Sequence, residues 1–173
     1  MPRLGHCISI SKSSGEPIHV STSATPETAA EVRALIAATS SASLATLDRQ
    51  SGGPYVSLVS VATGADNVPI LLLSGLAQHT KNIAGNPRAS LLLAVSSHNA
   101  DPLTLGRVTL NGVVERTGDP AIRAAFLNRH PTASQYADFA DFAFYRFVVA
   151  DAHFVGGFGR IVKLTPADVS NRS

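Results

Sequence analysis

The feature that constrains this chain most is a succession of strand-length apolar runs joined by hairpin-length turns. Ser43–Asp48, Tyr55–Thr63, Ile70–Leu73 and Ala89–Val95 each have the length and residue types of a strand. Between the first two lies Arg49-Gln50-Ser51-Gly52-Gly53-Pro54, and after the second comes Gly64-Ala65-Asp66-Asn67, both rich in turn residues. Tyr55–Thr63 alternates, with Val56, Leu58 and Ser60 on one side and Tyr55, Ser57, Val59 and Val61 on the other. The runs Ile70–Leu73 and Ala89–Val95 are apolar along most of their length, which suits strands buried on both faces. Leu103–Thr117 reads as a long strand that Gly106 and Gly112 bend or bulge. Phe139–Val149 gathers aromatics, with Phe142, Phe144 and Arg146 on one face and Tyr145 and Phe147 on the other, as a core strand would place them. Arg160–Leu164 is the last strand. Strands that do not alternate with long helices disfavour a doubly wound parallel sheet. The expected fold is mostly β with flanking helices, a small antiparallel barrel whose ends the helices cover.

The helices announce themselves through caps. Thr25-Pro26-Glu27 supplies an N-cap, a first-turn proline and a first-turn acid, and Ala29, Val32, Leu35 and Ile36 then share one face up to about Thr39. Asp119-Pro120 opens a second helix that reaches about His130, and Thr132–Asp138 is a further helical candidate. A short polar helix follows Ser74-Gly75 and stops at Gly85-Asn86-Pro87. We expect an irregular arm over residues 1–24, with a short strand near Ile18–Val20, and one domain over 25–173.

Composition excludes several function classes. At 173 residues the chain fits one domain with a sizeable core. Charged residues make up only 15%, against roughly a quarter in an ordinary domain, which suggests a surface partly covered by a partner subunit. The arginines are scattered from Arg3 to Arg172 and the net charge is +2, so the concentrated basic footprint of a nucleic-acid binder is missing. One cysteine allows no intrachain disulfide, the N-terminus has no continuous apolar core of a signal peptide, and no run approaches the ~20 apolar residues of a membrane span. A cytoplasmic protein without membrane attachment is expected. The six histidines show no short paired spacing, so no metal site is expected.

For chemistry, the densest cluster of donors is Gln78-His79-Thr80-Lys81-Asn82, where a strand enters a helix. Free helix N–H groups and a lysine charge there can hold an anion, or else form a solvated helix face. Gly156-Gly157-Phe158-Gly159 reads as a turn rather than a phosphate cradle, since no helix follows it. His153 is either a hydrogen-bonded structural histidine or a ligand or proton donor. Nothing in the chain matches a Walker lysine motif, a Gly-x-Gly-x-x-Gly run or a Gly-x-Ser-x-Gly elbow.

These segments together carry a resemblance. LLLSGLAQHTKNIAGNPRASLLL is similar to the flavin-phosphate segment of the pyridoxamine 5′-phosphate oxidase-like, FMN-binding split-barrel family. YVSLVSVAT resembles its flavin-contacting strand. DFADFAFYRF followed by HFVGGFGR resembles the haem-utilisation branch. The similarity spans about residues 27–163. It implies a six-stranded antiparallel split barrel and a homodimer with FMN in the cleft between subunits. It also implies that Ser57, Leu58 and Val59 meet the flavin and its ribityl chain. Ser74, Thr80 and Lys81 would hold the phosphate, with His79 adjacent, and Arg107 would contact the cofactor where the family has a glutamine. Vitamin B6 oxidases carry an arginine in place of Ser57, Arg-Lys in place of Thr80-Lys81, and a substrate-binding tail with no counterpart here. The haem-degrading members ligate iron through a histidine near the C-terminus, and no histidine follows His153. The resemblance therefore implies an FMN-dependent oxidoreductase acting on an unidentified small substrate. The alternatives are a haem-binding or haem-degrading protein, or a flavin-binding module without turnover.

Overall fold

In a computed structural model, the structure describes residues 19–21, 24–95, 101–157 and 160–170. The expected irregular arm lies outside the described residues except at 19–21 and 24, as does part of the Gly156–Gly159 turn. Eight strands and four α-helices follow one another as β1 (His19–Ser21), α1 (Pro26–Ala38), β2 (Ser41–Leu47), β3 (Pro54–Thr63), β4 (Pro69–Ser74), α2 (Gln78–Gly85), β5 (Arg88–Ala94), β6 (Gly106–Thr117), α3 (Pro120–Arg129), β7 (Phe142–Gly156), β8 (Arg160–Leu164) and α4 (Pro166–Val169). The predicted caps are in place: the Thr25 side chain accepts from the Thr28 N–H, and the Asp119 carboxylate from the Ala121 N–H at 2.8 Å. Among the described residues no helix is long and apolar enough to cross a membrane.

The strands form a closed six-stranded antiparallel barrel in the order β7-β4-β3-β2-β5-β6, with β6 pairing back to β7. β8 and, parallel to it, β1 extend the sheet from the far half of β7. The barrel interior is the main core, built from Leu44, Val61, Leu71, Leu91, Leu93, Leu110, Phe147 and Phe154. At one end, α1 inserts Val32, Leu35 and Ile36 into it; at the other, α2 inserts Ile83. A second, smaller core lies outside the barrel, where Phe126 of α3 packs with Ile70, Leu72 and Ala62 and is met edge-on by Phe144. The two faces of β7 therefore serve two cores, Tyr145 and Phe147 inward and Phe142 and Phe144 outward.

Four expectations change. β4 is buried on both faces, but β5 alternates and exposes Leu92, because α3 covers the outer face of β4 and nothing described covers that of β5. The long strand begins at Gly106, since residues 102–104 form a 3-10 turn in which the Leu103 N–H donates to the Asp101 carboxylate at 2.9 Å. Residues 139–141 also stand outside the strand, turned by the Phe142 N–H donating to the Phe139 carbonyl. The segment after α3 is a 3-10 helix, Pro131–Gln135.

Of the two glycines marked as bends in β6, Gly112 is the bulge site. Asn111 faces Asp151 and Gly112 faces Val149, leaving Ala150 unopposed. A Cβ at position 112 would run into the Val148 carbonyl oxygen and lie 2.9 Å from the Phe147 ring. Gly112→Ala is expected to lower unfolding stability by about 1–3 kcal/mol or more. Urea denaturation checks this, with Gly118→Ala, whose Cβ meets nothing within 4 Å, as a control of small effect.

Candidate functional site

The barrel is split beside β3. This strand pairs with β2 from Pro54 to Ser60, but with β4 only at Val61, Ala62 and Thr63. The Val61 N–H donates to the Ser40 carbonyl on the β2 side. Backbone groups alternate in direction along an antiparallel strand, so those of Val56, Leu58 and Ser60 face the opening. Across the opening stand the end of β4 and the first turn of α2.

α2 is held there by a buried polar knot. Asn82, fully buried, donates to the hydroxyl of Thr46 at 3.1 Å, and its carbonyl accepts from the Arg49 N–H and the Gln78 amide at 3.1 and 2.9 Å. Gln78 also donates to Asp48 at 3.1 Å. The backbone N–H and hydroxyl of Ser51 hold the Asp48 carboxyl below the usual carboxylate range. Asn82 thus fastens α2 to the β2–β3 turn rather than offering a donor to a ligand. No side chain caps the start of α2, at Ala77.

The expected site residues divide. Ser57 and His79 are brought together: Ser57 Oγ lies 3.0 Å from His79 Nδ1, and burial of the imidazole pushes its pKa below the usual 6.5. Leu58 points outward and is 77% exposed, whereas Val59 points into the barrel core. Ser57 is directly opposite the buried Leu44 and so shares the inward face. The three consecutive residues therefore cannot present their side chains to one ligand face. Ser74 does not aim a free hydroxyl at the opening; it donates to the Asp141 carboxylate at 2.5 Å and accepts from the Leu76 N–H. Thr80 is buried, and its hydroxyl has no hydrogen-bond partner. Lys81 is exposed and, among the described residues, in no ion pair. Arg107 stands apart from this group. It is five residues from Gly112, the β6 residue in line with Thr46 beneath α2, a separation of about 17 Å along the strand. Its guanidinium donates to the carbonyls of Leu103 and Leu105.

Two features of the site were not read from the sequence. Asp141 closes on Ser74 from 67 residues away, and no local signal marks such a partner. The outer face of the barrel next to the split is the other. Leu58, Ser43, Leu92, Thr109 and His153 oppose one another in a row across five strands. Val56, Leu58, Leu92 and Val95 are 61, 77, 41 and 47% exposed. His153 lies in this row, half-buried, and its ring forms no hydrogen bond with a described residue.

A profile of the CREG β-barrel family matches residues 24–170. The chain belongs to this family. It is 36% identical over 131 residues to the Arabidopsis thaliana protein "Non-canonical heme oxygenase HOZ, chloroplastic", covering 73% of this chain and 40% of that protein, so it spans well under half of that relative. It is 37% identical to a solved structure of a heme binding protein from Mycobacterium smegmatis, with a TM-score of 0.76, covering 82% of this chain and 59% of the other. A Clostridium acetobutylicum structure of the pyridoxinephosphate oxidase family aligns at 12% identity and a TM-score of 0.65, over 84% of this CREG-family chain and 99% of its own. At that identity the likeness shows the fold alone.

The position of α2 sets everything on the far side of the split, and Asn82 sets α2. Asn82→Ala would leave the buried Thr46 hydroxyl and the Arg49 N–H without their partner. The expected cost is about 1–3 kcal/mol, read as a lowered denaturation midpoint.

Proposed function

We propose that the chain is a haem-binding protein that works as a homodimer, with haem held at the split between β3 and α2 and a second copy closing the site. The observation that carries this reading is the fate of the phosphate donors. An FMN phosphate is a dianion, and charge-assisted bonds are roughly twice as strong as neutral ones. Here the Ser74 hydroxyl is spent on a carboxylate, the Thr80 hydroxyl is buried, and Lys81 alone offers charge. The same opening is bordered by apolar Val56 and Leu58 and by an imidazole that burial keeps neutral. That donor set suits a flat, largely apolar macrocycle with a nitrogen ligand for its metal and a cation for a carboxylate. When bound, haem would supply iron chemistry with dioxygen. The chain's part is to orient the macrocycle along the open edge of β3 and to neutralise an acidic substituent with Lys81. The heme oxygenase and heme binding protein among its relatives support this reading.

Haemin and FMN titrated in parallel into the purified chain test it. Haemin is expected to bind more tightly and give a Soret band. Tighter binding of FMN would reverse the reading.

A second reading keeps FMN at the same place, favoured by the uncapped start of α2 beside Lys81, which is in no ion pair among the described residues. On that reading Lys81→Ala weakens FMN binding by roughly 10- to 150-fold. Unchanged FMN affinity in the variant would remove it.

The homodimer rests on the apolar outer face. A two-fold interface uses one patch twice, and the row through Leu58 and Leu92 exposes two large apolar side chains on one outer face. Leu58→Glu is expected to shift the protein to the monomer in sedimentation velocity and, since the site is closed by the second copy, to weaken haemin binding. Because Leu58 is exposed, the circular dichroism spectrum should not change.

A further inference from the structure

We propose that His79 is the residue that ligates the iron of haem in this site, and that Ser57 is the positioning residue that sets its tautomer. This rests on the haem reading above and goes beyond it. An iron ligand must be a neutral imidazole with one ring nitrogen free, and in metal sites the other nitrogen is commonly fixed by a hydrogen bond. Three histidines have described side chains, and they differ in this respect. His130 is already committed: its Nε2 lies 2.9 Å from the Val61 carbonyl, and its ring stacks against Phe126 with centroids 4.8 Å apart. His153 lies on the outer face between Thr109 and Lys163 of the neighbouring strands, with a lysine opposite it and no hydrogen bond to a described residue. His79 alone has one nitrogen anchored, by Ser57 Oγ at 3.0 Å, and the other unengaged.

Its position agrees. His79 is in the first turn of α2, half-buried, opposite the open edge of β3. Burial of the ring favours its neutral form. With the proton on Nδ1, that N–H donates to Ser57 Oγ and the Nε2 lone pair is free for the iron. The bond formed is dative: both electrons come from Nε2, the imidazole stays neutral, and neither partner is oxidised or reduced.

The test compares ferric haemin complexes of the full chain with those of its His79→Ala, His153→Ala and Ser57→Ala variants, by absorption and electron paramagnetic resonance. His79→Ala is expected to move the Soret maximum and change the g-values, and added imidazole to restore them. His153→Ala should leave both unchanged. Ser57→Ala should keep the histidine signature while weakening haemin affinity by about 10- to 100-fold. Should His79→Ala misfold by circular dichroism, His79→Gln retains a polar group facing Ser57 and is expected to give the same spectral change. A His79 variant that binds haemin with the wild-type spectrum overturns the inference and leaves the haem reading standing. A wild-type protein that binds no haemin overturns the haem reading itself, and the inference with it.

Discussion

The structure depends on β7 pairing along both of its edges. Its fifteen residues face β4 from Phe142 to Arg146, β6 along nearly the whole length, and β8 from Ala152 to Val155. Along its other edge the strand thus pairs first with β4 and then turns away to pair with β8. The change of direction requires an extra residue, Ala150, and requires that the opposite strand approach closely enough for only glycine to fit at position 112. Because β4 is drawn toward β7, it leaves β3 after three paired residues, and the split opens there. The candidate site is therefore a geometric consequence of how the barrel closes.

What borders the split is decided by hydrogen bonds that serve the fold first. Asn82 and Thr46 are a buried polar pair that would be costly if separated, so α2 is fixed in depth and rotation. That rotation turns Thr80 inward and Lys81 outward and brings His79 against Ser57. At the end of β4, Ser74 and Asp141 join the strand to the turn before β7, supported by the Gly75 N–H donating to the Asp141 carbonyl. The same residues that complete the barrel thereby use up polar groups that border the split.

The local decisions were legible in the sequence. Thr25 and Asp119 cap their helices, the Gly-rich turn after Asp48 joins a hairpin, and the alternation of Tyr55–Thr63 puts Val59 and Val61 inside and Val56 and Leu58 outside. Each follows from backbone geometry and neighbours a few residues away, so the chain of antiparallel strands and the barrel class followed as well. Long-range choices were not legible. The runs Ile70–Leu73 and Ala89–Val95 look alike, yet only the first is buried on both faces, because α3 lands on it and not on β5. A serine hydroxyl carries no mark of whether it will face a ligand or a carboxylate far along the chain, and Ser74 found Asp141. Arg107 lies on a strand that reaches α2, but its register places it five residues away from the residue in line with that helix. The sequence alone determined which segments are strands and which face of each is apolar, since periodicity of two or 3.6 is a property of the local backbone. Only the tertiary structure decided which polar groups remain free for a ligand, since a donor satisfied within the fold is no longer available outside it.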